Sequence, residues 1–383
     1  MLMRIALALV LMLAAAPAAH AQAAAQPAAT TPPTLAEVRA EMDIPSLSLD
    51  LRGQRDSVGF ASSAEQMAKV WELSALPPAP DSLGPLPAPG VVGVICPHDD
   101  YLYAGRVYRR VLPLLTARTV VLVGVFHKYR RFNESDRLVF DRYRAWRAPD
   151  GPVRISGLRE DLIAHLLPDD FVQSAAMHDS EHSLEAIVYW LRHARPDVEI
   201  VPIIVPAAGF GRLNTLASRL AGALAAVMEA RDLKLGRDVA IAISTDGVHY
   251  GADFKYVPYG DGGPDAYARA TVKDRELLKG PLSGTLTPAK IRALYGEFVD
   301  PKDPDTYRLT WCGRFSVPLG LMLLEYLSRL PGPFTAWPVA YATSVSAPEL
   351  PVREVGLGAT APASLEHFVS YPAVAFTYGT KKR

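Results

Sequence analysis

Residues 91–115, VVGVICPHDDYLYAGRVYRRVLPLL, constrain the fold more than any other stretch of the chain. Val91 to Cys96 is short, β-branched and nearly free of polar groups, the pattern of a strand buried on both faces of a parallel sheet. The run stops at Pro97. His98, Asp99 and Asp100 then stand where the strand hands over to a helix with Val107, Val111 and Leu114 at helical spacing. In open α/β sheets ligands collect in the crevice at the carboxyl ends of the strands, so these groups are well placed for chemistry. Taken alone, His98 reads more simply as a histidine that satisfies a turn.

The alternation recurs. Residues 119–126, Glu199–Val205 and 238–245 read as further buried strands; His127 follows the first of these, and Asp246, Gly247 and His249 follow the last. Residues 62–73, 160–167, 183–194 and 213–230 read as helices, with Leu184, Ile187, Val188 and Leu191 forming one apolar stripe. Residues 137–143 and 151–155 read as shorter strands, residues 311–330 as a helix opened by Trp311 and Cys312, and 334–345 and Phe368–Tyr378 as closing strands. Strands separated by helices predict an α/β fold: a mixed, largely parallel central sheet with helices on both faces.

The chain begins MLMRIALALVLMLAAAPAAHAQA, with a positive charge, a short apolar run and an Ala-His-Ala cleavage site, so residues 1–21 read as a signal peptide. The expected location is periplasmic or secreted. Residues 22–40, rich in Ala, Pro, Gln and Thr, are expected to form a disordered leader, and 41–383 one domain. Forty basic and forty acidic residues cancel, which removes any electrostatic reason to expect nucleic acid as a partner. No stable membrane insertion is expected after signal cleavage, and the partner is expected to be an unidentified small molecule or protein.

Three strand ends thus carry a chemically capable group: His98, His127, and Asp246 with His249. Scattered residues would fall at both rims of the sheet. Cys312 adds a fourth point, since a thiol at the start of a helix feels the positive end of the dipole and tends toward thiolate. Two imidazoles and a thiolate suit iron or copper, with zinc as a further option. Each residue also has a plainer reading. His182 and His249 read as hydrogen-bonded structural histidines, as do His165, His178, His193 and His367. Asp246 and Ser183 read as helix caps. Cys312 reads as a small buried hydrophobe or as half of a disulfide with Cys96, the only other cysteine.

Four motifs resemble, in order, those of the Memo-like proteins, also called AmmeMemoRadiSam system protein B. PHDDYLYAG is similar to PHAGYxYSG, EHSLEAIVYWL to EHSxExHLPxL, STDGVHYG to SSDxxHxG, and CGRFSVPLGLML to CGxxPIxxLL. The chain differs from the family at GVFHKYRRF, where GPNHxG is usual, and at Asp99 and Asp100, which replace Ala-Gly. The resemblance implies a fold related to the class III extradiol dioxygenases. It further implies that His98, His127 and Cys312 are metal ligands and that Asp246, His249, Glu181 and His182 line the pocket, with Asp99, Asp100 and Tyr101 from the first motif. It also implies that Cys312 is a free, pocket-facing thiol. The leading functional expectation is metal-dependent redox or dioxygenase-like chemistry, with His249 as proton acceptor or donor oriented by Asp246. Two alternatives stand beside it: a non-catalytic metal-binding or protein-interaction module, and a metal-free cysteine hydrolase with Cys312 as nucleophile.

Overall fold

The computed structural model describes residues 31–87, 90–329 and 332–379. The expected signal peptide and residues 22–30 of the expected leader lie outside the described residues. The central elements are β1 (Val91–Cys96), α1 (Tyr101–Val111), β2 (Thr119–Val125), α2 (Glu185–Ala194), β3 (Glu199–Val205), α3 (Phe210–Ala230), β4 (Val239–Ser244), α4 (Ser316–Leu327), β5 (Phe334–Thr343) and β6 (Phe368–Tyr378).

Among the described residues the order β3-β2-β4-β1-β6-β5 forms the middle of a 13-stranded sheet. β3, β2, β4 and β1 are parallel: Val123 pairs with Ile203 on one side and Ile243 on the other, and Ile243 pairs with Ile95. β6 runs antiparallel to β1, and β5 antiparallel to β6. The sheet is therefore mixed with a parallel centre. β1, β2 and β4 are buried along their whole length, as their near-continuous apolar sequences require.

Successive side chains of a strand enter opposite layers, and the core divides accordingly. Val94, Val120, Leu122, Ala240 and Ala242 pack with Leu102 and Val107 of α1 and with Ile187 and Trp190 of α2. Ile95, Val121, Val123, Ile241 and Ile243 pack with Leu216, Leu220 and Leu224 of α3 and with Leu319 and Leu323 of α4. Helices thus cover both faces. Parallel strands end at one rim, so the turns after β1, β2 and β4 bring His98, His127 and Asp246 together.

Glycines permit two close approaches at that rim. A Cβ on Gly124 of β2 would lie 2.7 Å from the Leu184 side chain, so only glycine lets the segment carrying Glu181 and His182 pass over this strand. A Cβ on Gly313 would lie 2.4 Å from Thr245, which is how the Cys312 turn reaches the end of β4.

Two boundaries differ from expectation. Residues 34–40 do not belong to an unpacked leader: Leu35–Ala40 is a helix with a Thr34–Glu37 capping box, which satisfies its free N–H groups locally. Its Arg39 is buried, with Nε 3.0 Å from Asp179 and Nη2 donating to the Tyr143 hydroxyl at 2.8 Å. A composition-based reading misses such a helix because one buried ion pair and one cap anchor it. At the other boundary α4 begins at Ser316 with Phe315 as its N-cap, so Cys312 lies in the preceding turn and not in the first helical turn.

Candidate functional site

His98 is held by a buried relay. The Ser244 hydroxyl donates to the Ser183 carbonyl at 2.7 Å and is left only to accept from His98 Nδ1 at 2.6 Å. The proton therefore sits on Nδ1, and Nε2 keeps its lone pair. That Nε2 lies 3.3 Å from Asp246 Oδ2 and 3.5 Å from Cys312 Sγ. Burial holds the His98 imidazole well below its usual range, reinforced by His127 nearby.

His127 is fixed in the same sense by Glu181, whose carboxylate accepts the His127 backbone N–H at 2.6 Å and its ring Nδ1–H at 2.9 Å. Burial alone would raise Glu181. The His127 imidazole and the surrounding N–H donors, Ser183 among them, outweigh it and hold the carboxyl well below the usual carboxylate range. His249 donates its Nδ1–H to the Thr310 carbonyl at 3.0 Å and the Gly247 carbonyl at 3.1 Å. Three histidines thus spend Nδ1 on the protein and keep Nε2 as an acceptor. The rings of His98 and His127 are 5.3 Å apart centre to centre, and His182 stacks on His127 at 5.1 Å.

Two adjoining groups of potential ligands share His98: His98 with His127 and His182, and His98 with Asp246 and Cys312, each with ligand atoms within 4.8 Å of one another. His98, His127 and Cys312 all line one cavity of about 550 Å³. Its wall carries Asp99, Asp100, Asp246 and Asp253 with five histidines and, among the described residues, neither lysine nor arginine. This donor set fits a cation. The separations of 3.3 and 3.5 Å around His98 Nε2 are those that two bonds of about 2.0–2.3 Å to one ion produce. Burial, then the neighbouring Asp99, raises Asp246 well above the usual carboxylate range, and burial pushes the Cys312 thiol up. Bound positive charge would reverse both trends.

A family model described as Memo-like protein matches residues 78–352, which include every residue of both ligand groups. The chain belongs to the Memo-like family. Proteins named MEMO1 family protein from Thermococcus onnurineus, Methanothermobacter thermautotrophicus and Pyrococcus abyssi are 28%, 29% and 31% identical to it over 173, 174 and 179 residues. These alignments cover 43%, 44% and 43% of this chain and 55%, 58% and 55% of the relatives. The chain spans about half the length of the curated relatives it matches. A solved structure of an uncharacterized protein from Escherichia coli K12 aligns with a TM-score of 0.37 at 12% identity, covering 73% of this chain and 98% of that one.

Of the residues singled out in this Memo-like chain, His98, His127, Cys312, Asp246, His249, His182, Asp99 and Asp100 all line the cavity. Glu181 stands behind His127 as its hydrogen-bond partner and does not line it. Tyr101 does not line it either: it is fully buried beneath α2 and donates its hydroxyl to the Ala186 carbonyl, while Tyr103, two positions along α1, faces the cavity. Cys312 gains nothing from a helix start, as the late beginning of α4 explains, but the Asp246 backbone N–H donates to its sulfur at 3.1 Å. Both cysteines are free thiols, so the disulfide reading falls. His367, expected to be structural, lines the cavity. His178 is structural, buried with Nε2 3.0 Å from the Val139 carbonyl. Sequence reasoning missed Ser244, Thr310 and Tyr103, whose residue types carry no signal until the backbone brings them to the histidines.

Proposed function

We propose that this Memo-like protein is an exported metal-binding protein in which His98 and His127, completed by Cys312, hold iron or copper for redox or dioxygenase-like chemistry. The observation that carries this reading is the set of locked tautomers: Ser244 and Glu181 each take an Nδ1–H and leave an Nε2 lone pair facing a shared, acid-rich cavity. Such outer partners hold a ligand ready at no cost in reorganisation. When bound, iron or copper would supply electron transfer and polarisation of an oxygen-bearing substrate. The chain's own residues supply the rest. His249, its Nδ1–H clamped by two backbone carbonyls, presents Nε2 as a proton acceptor on the cavity wall. Asp246 orients His98 through the backbone N–H, which it accepts at 2.9 Å. Export rests on the signal-like pattern of residues 1–21.

Elemental analysis of protein purified from its native compartment tests the assignment. Wild type is expected to carry iron or copper, and His98→Ala and His127→Ala to lose it. Wild-type metal content in both variants overturns the reading. His249→Ala is expected to keep the metal and lose dioxygen consumption supported by ascorbate; unchanged consumption assigns the pocket to metal binding alone.

A further inference from the structure

Beyond Cys312 the cavity is flanked by a side chamber of about 100 Å³, lined by His127, Tyr129, Arg130, Tyr307, Arg314 and Ser316 among others. His127, Tyr307 and Cys312 line both spaces, so the two adjoin across these side chains. The chamber is less than a fifth of the volume of the main cavity, the size for a small polar group rather than for the body of a ligand.

Arg314 dominates it. Its side chain is 4% exposed, with the guanidinium centred 3.7 Å from the Tyr307 ring and 4.8 Å from the Phe315 ring. Nη2 donates to the Tyr129 hydroxyl at 3.1 Å, but Nη1 is buried with no protein partner among the described residues. A buried guanidinium N–H left unpaired is costly, and such a group is completed by ordered water or by a ligand. The nearby charge is also unbalanced. Among the described residues Asp305 is the one carboxylate in contact, 3.9 Å from Arg314 and 3.3 Å from Arg130, and it also accepts the Tyr129 hydroxyl. Two cations therefore share one anion. α4 starts just beyond, which adds the positive end of a helix dipole near Ser316.

We infer that Arg314 forms a carboxylate-binding subsite, and that the small molecule accepted by this pocket places its body in the large cavity and its carboxylate in the side chamber. A carboxylate matches the fork of the guanidinium in geometry and charge, where a neutral amide matches neither. Placing the substrate's reacting end at the histidines rests on the proposed metal reading; carboxylate binding by Arg314 does not.

Benzoate and its uncharged counterpart benzamide serve as probes, titrated by ligand-observed NMR into the full chain after metal removal by a chelator. Benzoate is expected to bind about tenfold tighter than benzamide, a difference of about 1.4 kcal/mol. Arg314→Lys, which keeps charge and bulk but loses the fork, is expected to erase most of that preference. In ¹⁵N-arginine-labelled wild type, guanidinium signals are expected to shift with benzoate and stay put with benzamide, a readout that requires no variant. Equal binding of the two probes, or a preference that survives Arg314→Lys, overturns the inference. A preference seen only in metal-loaded protein also overturns it, by assigning the carboxylate to the metal. A preference intact in metal-free protein and in His98→Ala supports the subsite even if no metal is ever found.

Discussion

Replacing Ser244 by alanine tests whether the relay behind His98 prepares its lone pair. The substitution removes a hydroxyl that accepts from His98 Nδ1 at 2.6 Å and donates to the Ser183 carbonyl at 2.7 Å. Ser244 and Ser183 are fully buried and His98 is 2% exposed, so water does not replace the lost partner. Each orphaned group costs about 1–3 kcal/mol. Two such groups, less what ring rotation recovers, give a loss of about 2–4 kcal/mol and a Tm lower by about 3–5 °C in a chain of this size. Without the acceptor, Nδ1 no longer has to carry the proton, and metal affinity is expected to fall about 10–100-fold. Calorimetry measures the first effect and chelator competition the second. Ser316→Ala is the control: its hydroxyl donates to the Ser244 carbonyl at 3.0 Å and touches neither His98 nitrogen, so it should lower stability and spare the metal. Unchanged affinity in Ser244→Ala alongside the expected loss of stability would refute tautomer control.

Two further predictions address other parts of the fold. Burial and the adjacent Asp99 raise Asp100 from 3.8 to about 8, so the folded state holds a proton that the unfolded chain releases near its ordinary value. Stability therefore falls as pH rises from about 4 to about 8, and Asp100→Asn should flatten that slope in thermal melts taken across the range. An unchanged slope would place the titration elsewhere. Arg39→Met should cost about 1–3 kcal/mol, because the buried Asp179 carboxylate loses the nearer of its two cations and keeps Arg52 at 3.8 Å and the Tyr143 hydroxyl. Urea unfolding reads the change, and a loss below about 1 kcal/mol would mean that the N-terminal helix is not anchored through this pair.

The layered α/β plan was legible because it depends on local pattern: long apolar β-branched runs must be buried on both faces, and helices with one apolar stripe must cover them. The same logic located His98, His127 and Asp246, since parallel strands carry their following turns to a common rim. Other features depended on contacts between residues far apart in the chain. Ser244 became a proton-position control only when Ser183, 61 positions away, occupied its single donor hydrogen. Tyr101 and Tyr103 are indistinguishable in a motif, yet α1 turns one beneath α2 and the other into the cavity. Arg39 reads as leader and Arg314 as an unremarked neighbour of a cysteine; tertiary packing alone buries the first against Asp179 and leaves the second with an unpaired N–H beside the pocket. Periodicity decides which face of an element meets the core, because burial is non-directional. Hydrogen bonds and charge pairs are directional and long-range in sequence, so which polar groups are satisfied, and which are left facing a ligand, is settled only when the fold brings partners within about 3 Å.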